Sequence, residues 1–296
     1  GLPGAVATPG AGERGQESRL RAVASPLAGM PGGTEVGTAV HAVLEATDFT
    51  AVDLPTELAR RVGEQQARRA VALGDHDALV DGLRRVVETP LGPLVGDRRL
   101  RDVPRHDRRD ELEFELPLAG GATPTADLRM GTVAELLRAH LGPDDPLHGY
   151  PDRLTDPALT APVHGYLTGS IDVVVRLDGS RFLVVDHKTN RLGPPGEAPS
   201  AWHYRPEALA EAMRHGHYPL QALLYTVALH RYLRWRLPGY DPERSLAGVL
   251  YLFLRGMTGA DVPRVEDRPC GVFAWRPPSR LVTDLSDLLD SGGAAA

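Results

Sequence analysis

The stretch that most constrains this chain is a pair of β-branched runs flanking a reversal: Gly169-Ser-Ile-Asp-Val-Val-Val-Arg-Leu177, then Asp178-Gly179, then Arg181-Phe-Leu-Val-Val-Asp-His-Lys-Thr-Asn190. Branching at Cβ favours the pleated sheet, and Asp-Gly supplies the positive φ of a tight turn, so the pattern predicts a hairpin. Asp172 lies on its first strand. Asp186 and Lys188 end its second, and residues two apart share a face, so these two point the same way. Pairing across the turn can bring Asp172 alongside them. Two carboxylates converging on one spot are costly unless a cation joins them, and hard oxygen ligands select Mg²⁺ or Mn²⁺. An Asp-Lys ion pair at a strand end is the structural alternative.

The lysine carries a further signal. Of 33 basic residues, every one but Lys188 is arginine. Where a generic positive charge suffices this chain uses arginine, so the one lysine marks a place that needs a compact ammonium. The net charge of −6 argues against one broad basic surface for duplex DNA but leaves room for a charged channel. Arginine pairs such as Arg60-Arg61, Arg68-Arg69 and Arg84-Arg85, and the run from Arg98 to Arg101, read as solvated helix faces. No run approaches the roughly 20 apolar residues of a membrane span, and no signal peptide is discernible. A single cysteine, Cys270, fits a reduced cytoplasmic setting.

Along the chain, residues 1–33 hold eight glycines and four prolines without periodicity, which predicts a flexible linker to a missing N-terminal portion. Apolar spacing from Thr34 predicts a helix with His41 and Glu45 on one face, then helices at about 55–73 and 76–89. Glu111-Leu-Glu-Phe-Glu-Leu-Pro117 alternates as a half-buried strand does. A short helix at about 132–141 precedes a Pro/Asp-rich loop to Gly165. After the hairpin come a Pro-rich loop, a helix at about 217–236 and an apolar run, Leu246–Leu254, suited to a strand buried on both faces. Helix, strand, hairpin, helix, strand implies an α/β sandwich around a mixed central sheet flanked by helices, with a helical region ahead of it. Gln221 and Tyr225 stand at i and i+4 on the long helix, where an inward glutamine needs a partner and Tyr225 suits packing. Glu45 is placed to steady His41 or to sit in solvent. Trp202, His203 and Tyr204 could stack on unpaired bases or pack on their own domain.

Taken together, Gly37-Thr-Ala-Val-His-Ala-Val-Leu-Glu45, Leu100-Arg-Asp-Val103, Glu111–Pro117, Gly165–Asp172, Asp186–Asn190, Gln221–Tyr225 and Gly248–Gly256 resemble the C-terminal nuclease domain of the RecB family within the PD-(D/E)XK nuclease superfamily. The resemblance implies a restriction-endonuclease-like core, the nuclease domain is expected over 34–290, and a flexible tail is expected over 291–296. It implies metal ligands at His41, Asp172, Asp186 and the backbone carbonyl of His187, and a catalytic role for Lys188. The family often has tyrosine where His187 stands, but a main-chain ligand does not depend on the side chain. Gln221 and Tyr225 fall on a family motif beside the active site, where contact with substrate is implied. The implied activity is that of an exodeoxyribonuclease V type enzyme: Mg²⁺-dependent hydrolysis of DNA strands, with Mn²⁺ as substitute, in double-strand break processing. The implied partners are DNA, especially single strands, RecC, RecD and RecA. Two alternatives remain: a nuclease-like fold that has lost catalysis and guides or docks DNA, and a freestanding RecB-like nuclease of another repair or defence pathway. No Walker A sequence occurs in these residues, so ATP hydrolysis by that route is excluded for this portion.

Overall fold

The computed structural model describes residues 11–69, 71–119, 121–123, 127–159 and 161–291. In chain order the elements begin with α1 (Ala11–Arg21), α2 (Thr34–Ala46), α3 (Leu54–Arg68) and α4 (His76–Glu88), then β1 (Arg108–Leu118), α5 (Met130–His140), β2 (Gly165–Arg176) and β3 (Phe182–Lys188). They continue with α6 (Pro206–His215), α7 (Tyr218–Arg236), the single turn α8 (Pro242–Ser245), β4 (Leu246–Phe253), the short ribbon β5 (Arg264–Val265) and β6 (Arg268–Pro269), β7 (Val272–Trp275) and α9 (Ser279–Ser291). Local chemistry sets several of these boundaries. The Asp53 carboxylate accepts the Thr56 amide ahead of Pro55 to start α3, and Asp75 accepts the Ala78 amide to start α4.

Five strands form the central sheet in the order β1-β2-β3-β4-β7. Only the β3–β4 pair is parallel; the other three are antiparallel. A parallel neighbour needs a crossover, and α6 with α7 supplies it. The Asp-Gly reversal is present, with Gly179 at φ 55° and the Leu177 amide donating to the Arg181 carbonyl at 2.9 Å. Alternation along β3 sends Val184 into a core with Leu223 and Val227 of α7, and Val185 into a second core with Val40 and Val43 of α2. Every residue of β4 is buried, as its unbroken apolar run requires. The sandwich is therefore two hydrophobic cores on either face of one mixed sheet.

Two expectations change. The linker expected over 1–33 holds for no described part of it: residues 11–21 are helical, and Leu20, Leu27 and Met30 are buried. Leu20 packs with Val262, Val265 and Cys270, and Leu27 and Met30 join the α2 core. Gly and Pro hid this because the stabilising contacts are all long-range. Residues 1–10, and the expected tail beyond Ser291, lie outside the described residues. The loop expected after the hairpin contains α6, and the chain closes the sheet with β7 and α9, which the apolar pattern did not disclose. The arginine pairs do sit on solvated faces: Arg60 and Arg61 both pair with Glu57, and Arg84 and Arg85 with Asp81.

Candidate active site

The site forms where the hairpin strands part. The β2–β3 ladder ends at Val173–Val185, so Asp172 and Asp186 face each other one step beyond it. On the other side, β1 pairs through Asp110–Val173 and Leu112–Ile171 but skips Glu111 opposite Asp172, and Glu111 adopts φ 49°. A left-handed conformation is uncommon outside glycine, and such strain gathers at functional sites. Its effect here is to release Asp172 from both ladders. Asp172 Oδ2 instead accepts the His187 amide at 2.9 Å and lies 3.4 Å from Nδ1 of His41, reaching in from α2.

Lys188 stands on the opposite face of β3. Its Nζ lies 2.8 Å from Asp186 Oδ2 and donates to Gln221 Oε1 at 3.1 Å. The ammonium also sits 4.2 Å above the Tyr218 ring and 5.2 Å from that of Tyr251, two rings that stack on each other. Gln221 is the hub on this side: its oxygen also accepts from the Tyr251 hydroxyl at 3.1 Å, and its amide donates to the Tyr225 hydroxyl at 2.9 Å.

Burial shapes the protonation of the site. Asp186 is 2% exposed, and its carboxyl is pushed up to about 7 by burial, opposed by Lys188 and reinforced by the Asp172 charge. Burial likewise pulls the His187 imidazole down to about 4, which keeps it neutral beside Asp172 and His41. The Tyr225 hydroxyl is pushed up to about 12, first by burial and then by the two aspartates.

A cleft of about 790 Å³ opens onto this corner, bordered by Gly33, His41, Glu111, Lys188 and Asn190. A second hollow of about 550 Å³ shares Asn190 with it, and Asn190 Nδ2 donates to the Tyr218 hydroxyl at 3.2 Å.

Residues 16–270 match the family model described as the PD-(D/E)XK nuclease superfamily. The chain belongs to the PD-(D/E)XK nuclease superfamily. It is 49% identical over 300 residues to RecBCD enzyme subunit RecB of Mycobacterium tuberculosis, covering 96% of this chain and 27% of that protein. Against the RecB subunit of Mycolicibacterium smegmatis the identity is 48% over 271 residues, covering 91% and 25%. Against that of Escherichia coli it is 31% over 264 residues, covering 87% and 19%. The chain thus spans about a quarter or less of the curated relatives it matches.

PD-(D/E)XK nucleases depend on a divalent metal, and the residues here fit one. Asp186 Oδ2 is fully buried and, although close to Lys188 Nζ, has no directed hydrogen bond. Carboxylate oxygens with one imidazole nitrogen form a hard, mixed donor set suited to such an ion. Among the described residues no three His, Cys, Asp or Glu side chains are already gathered around one point. Each carboxylate leans on the nearest donor instead, Asp172 on the His187 amide and Asp186 on Lys188.

Of the residues expected from sequence, the structure brings His41, Asp172, Asp186, His187 and Lys188 to one corner, with Gln221 and Tyr225 behind the lysine. Glu45 does not join them. It borders the cleft, but its side chain is exposed and makes no hydrogen bond to His41; Asp172 meets that ring instead. Stacking on bases is likewise closed to the loop aromatics. Tyr204 is fully buried, His203 nearly so, and the Trp202 ring lies between Arg21 at 5.4 Å and Arg205 at 3.6 Å. Sequence reasoning missed Tyr218 and Tyr251, which cradle Lys188, and Glu111, which borders the cleft and accepts the Ser170 hydroxyl at 2.8 Å. Tyr218 could have been noticed three residues before Gln221. Nothing local announces a left-handed Glu111.

Proposed function

We propose that this chain is the nuclease region of a RecB-type helicase-nuclease subunit, and that it hydrolyses phosphodiester bonds of DNA strands with Mg²⁺ during double-strand break repair. The observation that carries the reading is the corner itself: two aspartates facing each other one step past the end of the β2–β3 ladder, beside a lysine fixed at 2.8 Å from one of them. Kinship with RecB subunits over nearly the whole chain supports DNA as substrate. No described helix is long and apolar enough to cross a membrane, and a bacterial cytoplasmic setting belongs to the same reading.

His41, Asp172, Asp186 and the His187 carbonyl would hold the metal. When bound, the divalent cation supplies Lewis-acid activation of water and neutralises charge at the scissile phosphate. Lys188 does the rest of the electrostatic work. Its ammonium is held by Gln221 and two tyrosine rings at the cleft, where it can orient water or offset charge developing on the phosphate oxygens. Arginine is too broad for that cradle and holds its proton too firmly. The cleft also exposes Arg69 and Arg191, which offer contacts to a strand's backbone. Assembly with RecC and RecD, cooperation with RecA and delivery of single strands by a helicase complete the proposal. The test is cleavage of single-stranded and duplex DNA with Mg²⁺ by this chain and by Asp186→Ala; equal rates would sink the assignment.

A further inference from the structure

Arg255 is the largest fully buried side chain of the protein's described residues, 1% exposed, yet no carboxylate answers it. It spends its donors on backbone carbonyls. Nε donates to Thr189 at 2.9 Å, Nη1 to Leu27 at 2.7 Å and Met30 at 2.9 Å, and Nη2 to Pro31 at 2.7 Å. These acceptors come from two separate segments. Thr189 directly follows Lys188, whereas residues 27–31 form a strap that runs into Gly33 and α2, the helix carrying His41. The two walls of the catalytic cleft are therefore tied to one guanidinium beneath it.

Tyr204 secures the same catalytic loop from a second point. Its hydroxyl donates to the Asn190 carbonyl and accepts the Leu192 amide, both at 3.1 Å. The walls also touch directly: a Cβ on Gly37 would come within 3.2 Å of Thr189 Oγ1. A planar fork with five donors suits this task, since its arms diverge towards acceptors of two segments at once. A buried charge held only by carbonyls is strongly destabilising if any of them is lost, so the fork favours one spacing of the walls.

We propose that Arg255 is a positioning residue that clamps the strap of residues 27–31 to the loop after Lys188, and so sets the separation between His41 and the carboxylate-lysine wall. It touches neither substrate nor metal. The strap is consequently a lever: displacement of residues 27–31 reaches the loop after Lys188 through this side chain.

The first measurement is native-state hydrogen exchange on the wild-type chain. Residues 27–31 and 189–192 should open as one unit with a common protection, because neither can move without the shared guanidinium; separate openings would overturn the clamp. The second compares Arg255→Lys with Tyr204→Phe. Lysine keeps the charge but cannot span both segments, so exchange should rise about tenfold in both and Mn²⁺ affinity by calorimetry should fall roughly tenfold, as for residues that orient metal ligands. Tyr204→Phe should loosen only 190–192 and leave Mn²⁺ affinity within about twofold, a bound drawn from the same principle. A folded Arg255→Lys with unchanged exchange in either segment, or unchanged Mn²⁺ affinity, refutes the proposal. The calorimetric arm rests on the proposed metal role, and the exchange arm does not. Wild-type chain that fails to bind Mn²⁺ would sink that role while leaving Arg255 to be judged by exchange alone.

Discussion

The two faces of β3 at its C-terminal end are built on different principles. On the α7 side, Lys188, Gln221, Tyr225 and Tyr251 form a continuous chain of hydrogen bonds between 2.9 and 3.1 Å, closed over by stacked rings. On the α2 side, His41 and His187 stand 3.4 and 3.8 Å from Asp172, their rings 5.8 Å apart, and His187 Nε2 has no partner. The lysine's position is over-determined by protein. The histidine side leaves lone pairs for something else to order, which is what a ligand-binding wall requires. On the proposed reading, a fixed cation beside an adaptable set of donors would let one site hold a charge in place while accepting a metal.

That contrast can be broken at graded cost. The largest effect is expected from Asp186→Asn, which keeps the volume but removes the buried anion beside Lys188. Cleavage should fall by about 10³-fold or more, the scale of losing a principal charge-stabilising group. The melting midpoint should change little, because relief from burying an aspartate raised to about 7 offsets the counter-charge that Lys188 loses. A large fall in melting temperature would mean that the carboxylate is structural. Lys188→Arg should lose about 10²- to 10³-fold in kcat, since the cradle of Tyr218 and Gln221 is shaped for an ammonium; near-normal turnover would show that any cation serves.

His41→Ala acts on the looser face and should separate affinity from rate. Metal titration should show roughly 10- to 100-fold weaker binding, with kcat largely recovered at saturating metal. If excess metal restores nothing, the histidine belongs with the fixed machinery. Gln221→Leu should cost about 1–3 kcal/mol of stability in denaturant unfolding, by stranding the Tyr225 hydroxyl and removing one contact each of Tyr251 and Lys188, and should lower kcat with it. The smallest effect belongs to Glu45→Ala. An exposed side chain without a hydrogen bond to His41 should change stability by no more than about 0.5 kcal/mol, and a larger shift in metal affinity would restore the role expected from its position on the helix.

Legibility followed the range of the interactions. The hairpin, α2 and β4 were readable because period 2, period 3.6 and an unbroken apolar run are local signals. Asp172, Asp186 and Lys188 were readable for the same reason, being carried by two short strands around a turn. His41 and Gln221 were reached through resemblance to the RecB family; helical spacing alone does not say which face meets the sheet. The strap at 27–31 was misread because its evidence lies in Arg255, more than two hundred positions away. Glu45 was overvalued because sharing a helix face with His41 does not make its carboxylate reach the ring.

By itself, the sequence determined which side chains could do the chemistry: two carboxylates and a lone lysine at the end of one hairpin, in a chain that otherwise chooses arginine. Only the tertiary structure decided how they stand. The left-handed Glu111 frees Asp172, Tyr218 of α7 and Tyr251 of β4 cradle Lys188, and Arg255 binds the two walls together. The physical reason is that local pattern encodes which face a residue takes, whereas burial, a skipped ladder step and a shared hydrogen-bond donor exist only once distant segments have met.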